Sequence, residues 1–125
     1  MKLEVGMYCR YKNFQNKIKI GKICEIIPAD DMIVYDYIIL EHDGLLEHDI
    51  INASFDIIDI LEVGDIIRYR IDKVPLETKG YLTGVIDITD EEMLENIKED
   101  KNYHVLQILT KEQFEEMSYK VKESK

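Results

Sequence analysis

Two Glu-His-Asp triplets, at residues 41–43 and 47–49, are the side chains whose types and spacing most resemble a reactive site. Imidazole and carboxylate groups are ligands of zinc, so the two histidines would suit one metal if they shared a face. The Asp-Gly dipeptide 43–44 lies between apolar runs and predicts a two-residue hairpin turn. In that register His42 and His48 point to opposite faces of the sheet. The sequence therefore predicts a charged surface hairpin and no metal site.

Other nucleophilic side chains are few. Cys9 and Cys24 lack a C-x-x-C spacing and are too few for a disulfide scaffold, so we expect buried or half-buried thiols in a reducing environment. The chain has three histidines and three serines, without a G-x-S-x-G elbow or a phosphate-binding glycine loop. We expect a protein that is not an enzyme and that needs no cofactor.

Charge is divided unevenly along a chain whose net charge is −10. Residues 1–23 carry six Lys or Arg against Glu4, whereas residues 25–65 carry twelve Asp or Glu and no Lys or Arg. The acidic total disfavours direct nucleic-acid binding, which needs cations for the phosphates. The acidic run predicts a surface for a basic partner protein, and the alternative is a solvated face that only maintains solubility.

The acidic run supplies the residues predicted to bind a partner. Along one face of a strand, alternate carboxylates would lie about 6.6 Å apart, close to the phosphate spacing of a DNA strand. The predicted acidic face consists of Asp30, Asp31, Asp36, Glu41, Asp43, Glu47 and Asp49. Exposed aromatics are a second type of contact, for which the sequence offers Tyr8, Tyr35 and Tyr37. The alternative for each tyrosine is a place at the edge of the core with its hydroxyl in water.

These residues must be positioned by an internally repeated fold. The stretch LEVGMYCRYK at 3–12 returns as LEVGDIIRYR at 61–70, and both show the two-residue alternation of a half-buried strand. Gly6 and Gly64 are expected to serve a bulge or a positive φ. Further matches are GKICEII at 21–27 with GYLTGVI at 80–86, and the predicted strand 33–42 with 103–109. The hairpin would return strand 33–42 along 45–51.

Four or five short strands in each copy predict a mainly β fold with minor α content, built as two tandem SH3-like barrels. The barrels would span 1–59 and 60–125, with a buried or paired joint near 52–60. A capping box at Thr89 and Glu92 predicts a short helix at about 90–100, inserted in the second barrel. A second capping box, Thr110 with Gln113, predicts a short C-terminal helix.

Three stretches carry a family resemblance: VGMYCRYK…GKICEI, NASFDIIDILEVGD and ILTKEQFEEMSYKV. They resemble small proteins of phages and prophages in low-GC Gram-positive bacteria, from Val5 to about Val121. The resemblance implies a mobile genetic element inside a bacterial cell, and it supplies no activity and no site residues. The chain has no apolar run long enough for a membrane span and no signal-peptide pattern, so a cytoplasmic location without membrane binding is expected.

Three functions fit these observations. The first is a protein-binding inhibitor of a host defence nuclease, of the anti-CRISPR or anti-restriction type, whose acidic surface occupies a phosphate site. The second is a nucleic-acid-associated barrel of the KOW or Tudor type, for which the basic segment 1–23 would contact the backbone. The third is a structural accessory protein of a phage particle. The sequence leaves the oligomeric state open.

Overall fold

The computed structural model describes residues 2–32, 34–72 and 81–121. Its elements are β1 (Tyr8–Lys12), β2 (Ile18–Ile27), β3 (Tyr37–Leu40), β4 (Gly44–Leu46), a first 3₁₀ helix (Glu47–Asp49), β5 (Ile50–Ser54), a second 3₁₀ helix (Ile57–Ile60), β6 (Ile66–Asp72), β7 (Tyr81–Asp87), α1 (Glu91–Glu99), β8 (Tyr103–Leu109) and α2 (Lys111–Met117). All described strand pairs are antiparallel. The fold is mainly β with two short helices, as the sequence predicts.

The first sheet has the strand order β4-β3-β2-β1-β5. Its long central strand β2 pairs with both neighbours, and the register shifts between Ile23 and Glu25. Cys9 and Tyr11 on β1 face the core, in agreement with the predicted alternation. The buried core of this sheet consists of Cys9, Tyr11, Ile23, Ile38, Leu40 and Leu45.

The second sheet has the order β7-β6-β8 and a separate core. Helix α1 covers it through Leu94 and Ile97, and the joint contributes the buried Ile58. Among the described residues this sheet has three strands, and the edge strands β4 and β5 of the first sheet do not pair with each other. The predicted closure into two barrels of four or five strands is therefore not seen in the described part of the chain.

The two copies begin with the same turn. Gly6 has φ +98° and Gly64 has φ +101°, so both need a backbone conformation that side chains with a Cβ rarely adopt. The amide of Gly6 donates to Ile23 O at 2.9 Å, and that of Gly64 donates to Ile88 O at 2.7 Å. The positive φ predicted for both glycines is confirmed.

Strand pairing corrects the alignment of the second strands. Cys9 pairs with Gly21, whereas its counterpart Ile67 pairs with Ile86. Gly21 therefore corresponds to Ile86, six residues beyond the predicted counterpart Gly80. The alignment was wrong because the second copy has the longer connection between its first two strands.

The predicted match of 33–42 with 103–109 is also wrong. Strand β8 pairs with β6 in the way that β5 pairs with β1, so β8 corresponds to β5. The ladders even share a register shift, between Arg10 and Tyr11 in one copy and between Arg68 and Tyr69 in the other. The second copy contains α1 where the first copy contains β3 and β4.

The β3–β4 hairpin turns earlier than predicted. Leu40 N donates to Asp43 O at 2.7 Å, so Glu41 and His42 form the tip in place of Asp43 and Gly44. The reason lies in two contacts: Tyr11 Oη donates to Asp43 Oδ2 at 2.6 Å, and a Cβ at Gly44 would lie 2.3 Å from the hydroxyl of Tyr37. Gly44 thus permits a close approach of an aromatic ring.

Residues 45–51 do not continue as the predicted single strand. After the three residues of β4 the chain enters the first 3₁₀ helix, which contains the second Glu-His-Asp triplet.

The helices agree with the sequence in place and differ in one cap. Helix α1 spans 91–99, and its N-cap is Asp90, whose side chain accepts from Met93 N at 2.8 Å. The predicted cap at Thr89 is therefore wrong by one residue. Helix α2 begins with the predicted capping box of Thr110 and Gln113. Strand β5 and the buried Ile58 and Ile60 confirm a paired and buried joint.

Candidate functional site

Five of the predicted acidic residues lie at one end of the β3–β4 hairpin. They occupy two segments that meet there, the connection 28–36 and the first 3₁₀ helix, because Tyr37 pairs with Leu46. Asp36 and Glu47 line a common recess with Lys2. We call this set the acidic loop group; it consists of Asp30, Asp31, Asp36, Glu47 and Asp49.

The other two predicted residues, Glu41 and Asp43, lie at the opposite end of the hairpin. Three residue steps along β3 separate the two ends by about 10 Å. The side chain of Glu41 accepts from Lys22 N at 2.9 Å, and Asp43 accepts from Tyr11. The seven carboxylates therefore do not form the predicted row along one strand edge, because the turn and the 3₁₀ helix interrupt the strand.

Within the acidic loop group, three carboxylates have internal partners. Asp36 Oδ1 accepts from Ala29 N at 2.8 Å, and Asp30 Oδ1 accepts from Met32 N at 2.8 Å. Asp49 Oδ1 lies 3.7 Å from His48 Nε2. The first two bonds hold the connection 28–36 in shape, as short polar side chains commonly do in turns.

Asp31 and Glu47 are exposed, and the side chain of neither makes a hydrogen bond or ion pair among the described residues. Their carboxylates are available to solvent or to a partner. The unengaged charge of the acidic loop group is thus centred on these two residues.

The predicted tyrosines differ in accessibility. Tyr35 is 56% exposed and stacks edge-to-face on His48 with 5.7 Å between ring centroids. It lines a recess together with Glu47. Tyr37 packs on Gly44, and Tyr8 is half-buried with the ammonium of Lys22 5.4 Å from its ring centroid. Of the three, Tyr35 is the most exposed, and Tyr37 is 39% exposed.

The triplet histidines and the cysteines are the side chains that a metal site would use. Among the described residues, no cluster of three or more His, Cys, Asp and Glu side chains is arranged to hold a metal ion. Cys9 is fully buried, and burial raises the pKa of its thiol to about 12. Cys24 is exposed, and both thiols are free. A buried thiol held protonated is a poor nucleophile.

A buried charge cluster joins the two copies, and the sequence did not reveal it. Arg10 is 1% exposed; its Nε donates to Ile60 O at 3.0 Å and its guanidinium forms a salt bridge with the fully buried Asp65. Glu62 Oε2 lies 3.4 Å from Nε, and Glu112 Oε1 lies 3.5 Å from Nη1. The available signal was Asp65, a polar residue on the apolar face of a repeated strand.

Two cations of the basic segment 1–23 are paired with carboxylates of this chain, one in the interior and one on the surface. Arg10 is buried in the charge cluster, and Lys17 forms an ion pair with Glu116 of α2. The second copy thus neutralises part of the segment that a nucleic-acid-binding barrel would require.

Comparisons of the chain with protein-family models, with curated proteins and with solved structures found no match. Within the described ranges, no helix has the length and apolar character needed to cross a membrane.

Proposed function

We propose that this protein is a non-enzymatic binding protein whose acidic loop group docks on a basic protein partner. The observation that carries the proposal is the carboxylate of Glu47, which is unpaired among the described residues and shares a recess with the exposed ring of Tyr35, while a second unpaired carboxylate, Asp31, lies in the connection that leads to Tyr35. An aromatic ring supplies contact area at low entropic cost, and the carboxylates supply long-range attraction.

The class of partner follows from charge and from the sequence resemblance. A nuclease presents cations where it holds phosphates, and clustered carboxylates can occupy the same cations. Together with the resemblance to phage and prophage proteins, this supports an inhibitor of a host defence nuclease, of the anti-CRISPR or anti-restriction type. Such binding is electrostatically steered, so its association rate falls as salt rises.

We further infer that the two copies descend from one SH3-like unit. Three features support a duplication: the shared positive φ of Gly6 and Gly64, the shared register shift, and the equivalent pairing of β5 and β8. The first copy has a meander of four strands, a 3₁₀ helix and a fifth strand beside the first, which is an SH3-type order. In this scheme the acidic loop group belongs to the first copy alone.

A pull-down from host lysate tests the function with a matched pair of variants. The double variant Asp31→Lys/Glu47→Lys reverses the free charge of the acidic loop group, while Asp43 is left in place because it holds Tyr11. The control Glu95→Lys/Glu99→Lys makes the same change of net charge on the exposed face of α1. We expect the wild type and the control to capture the same basic protein and the first variant to lose it. Equal capture by both variants would refute the proposal.

A further inference from the structure

The duplication places two arginines at equivalent positions. Arg10 on β1 pairs with Ile20 and Asn52, and Arg68 on β6 pairs with Val85 and Gln107, each just before the shared register shift. In both copies the arginine lies on the strand face opposite the core, since the core is lined by the flanking residues of each strand. The two arginines therefore occupy equivalent strand positions, and their side chains leave equivalent faces of the two sheets.

In the first copy this face is covered. The covering segment is the end of the joint together with the turn that follows it, residues 57–66, which from here on is included in the joint; it brings the carbonyl of Ile60 and the carboxylates of Glu62 and Asp65 to Arg10. The segment combines aliphatic side chains with carboxylates, since Leu61 beside Glu62 is itself buried. A buried guanidinium requires such partners, because an unpaired buried charge is strongly unfavourable.

In the second copy the same face is open. Arg68 is exposed, and its side chain makes no hydrogen bond or ion pair with any described residue. Around it lies a groove of about 320 Å³ that is also lined by Ile66, Val85 and Leu109. Val85 is 63% exposed, so the groove presents aliphatic surface as well as a free guanidinium.

We propose that the Arg68 groove binds a partner protein through an aliphatic segment that carries a carboxylate, in the way that the joint binds Arg10. The chemistry is opposite to that of the acidic loop group, so this surface serves a second partner. A second copy of the chain is a less suitable partner. Its N-terminal turn has Met7 at the position of Asp65 and so offers no carboxylate to Arg68, and the net charge of −10 opposes self-association.

The probe is a synthetic, fluorescently labelled peptide with the sequence of the joint, IIDILEVGDI, residues 57–66. We expect saturable binding to the full-length protein, measured by fluorescence anisotropy. Binding should weaken about tenfold or more in Arg68→Gln, and similarly when the peptide carries Asp65→Asn, because a charge-assisted hydrogen bond is lost. Val85→Asp places a negative charge in the groove, which repels the carboxylates of the peptide, so this variant should bind the peptide more weakly as well.

Two controls separate the groove from general electrostatics. Lys98→Gln removes the same charge from an exposed position on α1 and should bind the peptide like the wild type. The thermal midpoint of Arg68→Gln should equal that of the wild type, because the side chain has no partner to lose. Absence of saturable peptide binding, or equal binding by Arg68→Gln, would overturn the proposal. Sedimentation that shows dimers abolished by Arg68→Gln would also overturn it, since the occupant would then be a second copy.

Discussion

Asp65 occupies the position in the second copy that Met7 occupies in the first, and this difference determines how the copies join. Its Oδ2 accepts from Glu62 N at 2.9 Å, and its Oδ1 accepts from Lys111 N at 3.0 Å, in addition to the salt bridge with Arg10. One carboxylate therefore ties together the turn, the start of α2 and the first sheet. The cluster supplies counter-charges to a guanidinium that would otherwise be buried without one, although Nη1 of Arg10 makes no hydrogen bond with any described residue.

Removing this carboxylate should destabilise the whole chain. Asp65→Ala is expected to lower the free energy of unfolding by about 3–5 kcal/mol, because Arg10 stays buried without its main partner. Urea denaturation measures the loss. The control Glu62→Gln changes a partly exposed partner of Arg10 and should cost about 1 kcal/mol or less. A loss below about 1 kcal/mol for Asp65→Ala would mean that the charge cluster contributes little.

The two thiols give a second prediction at the residue scale. Burial raises the pKa of Cys9 to about 12 from the ordinary value of 9.0. Above pH 9 the folded state therefore binds more protons than the unfolded state, so the stability falls as pH rises from 9 towards 12. The titration of this one thiol lowers the free energy of unfolding by at most about 1.4 kcal/mol per pH unit. Burial and the bond to Asp43 raise the pKa of Tyr11 too, in the same direction.

We expect Cys9→Ala to lose stability less steeply than the wild type between about pH 9 and 10.5, measured by denaturation at each pH. Cys24→Ala should keep the wild-type slope because Cys24 is exposed. A thiol reagent should label one cysteine in the folded protein and both in urea. Equal slopes for Cys9→Ala and the wild type would show that the buried thiol does not cause the alkaline loss.

At the scale of elements, local signals predicted the strands and helices better than they predicted which groups pair. The core-facing positions Cys9 and Tyr11 and the capping box at Thr110 are confirmed. In contrast, the cap at Thr89 is wrong, and Arg10, on the face expected to meet solvent, is buried. The hairpin turn was misplaced because Asp43 is held by Tyr11, 32 residues earlier in the chain. Likewise, the sequence cannot tell which carboxylates of the acidic run are used as internal acceptors, since the amides of Ala29 and Met32 become their partners only in the folded turns.

The repeated turn is an element that can be tested directly. Ala at Gly6 or Gly64 must adopt a positive φ, which costs roughly 1–2 kcal/mol. Gly64→Ala should cost more than Gly6→Ala, because its Cβ would lie 3.0 Å from Lys111 Cβ, whereas that of Gly6 would meet Phe55 at 3.4 Å. Thermal denaturation shows which of the two variants is less stable. Wild-type stability in both would contradict a requirement for glycine in the turn.

On the scale of the whole molecule, the two copies share their turns and three strands and differ in what covers them. The first copy has the β3–β4 hairpin and carries the acidic loop group, and the second copy has α1 and an uncovered arginine. The recurrence of LEVG…RY predicted that the two turns are alike, and the capping pattern predicted a helix in the second copy alone. The sequence did not predict that Arg10 is covered and Arg68 is exposed, because this depends on how the segment between the copies packs.

The central claim is that Asp31 and Glu47 attract a basic partner. The most direct test is the association rate of the purified protein with the basic protein captured from lysate, measured at about 50 mM and about 500 mM salt. We predict that the wild type and Glu95→Lys/Glu99→Lys associate at least about tenfold more slowly at high salt, and that Asp31→Lys/Glu47→Lys is slow at both. Association of Asp31→Lys/Glu47→Lys at the wild-type rate, or a wild-type rate that does not change with salt, would contradict the claim.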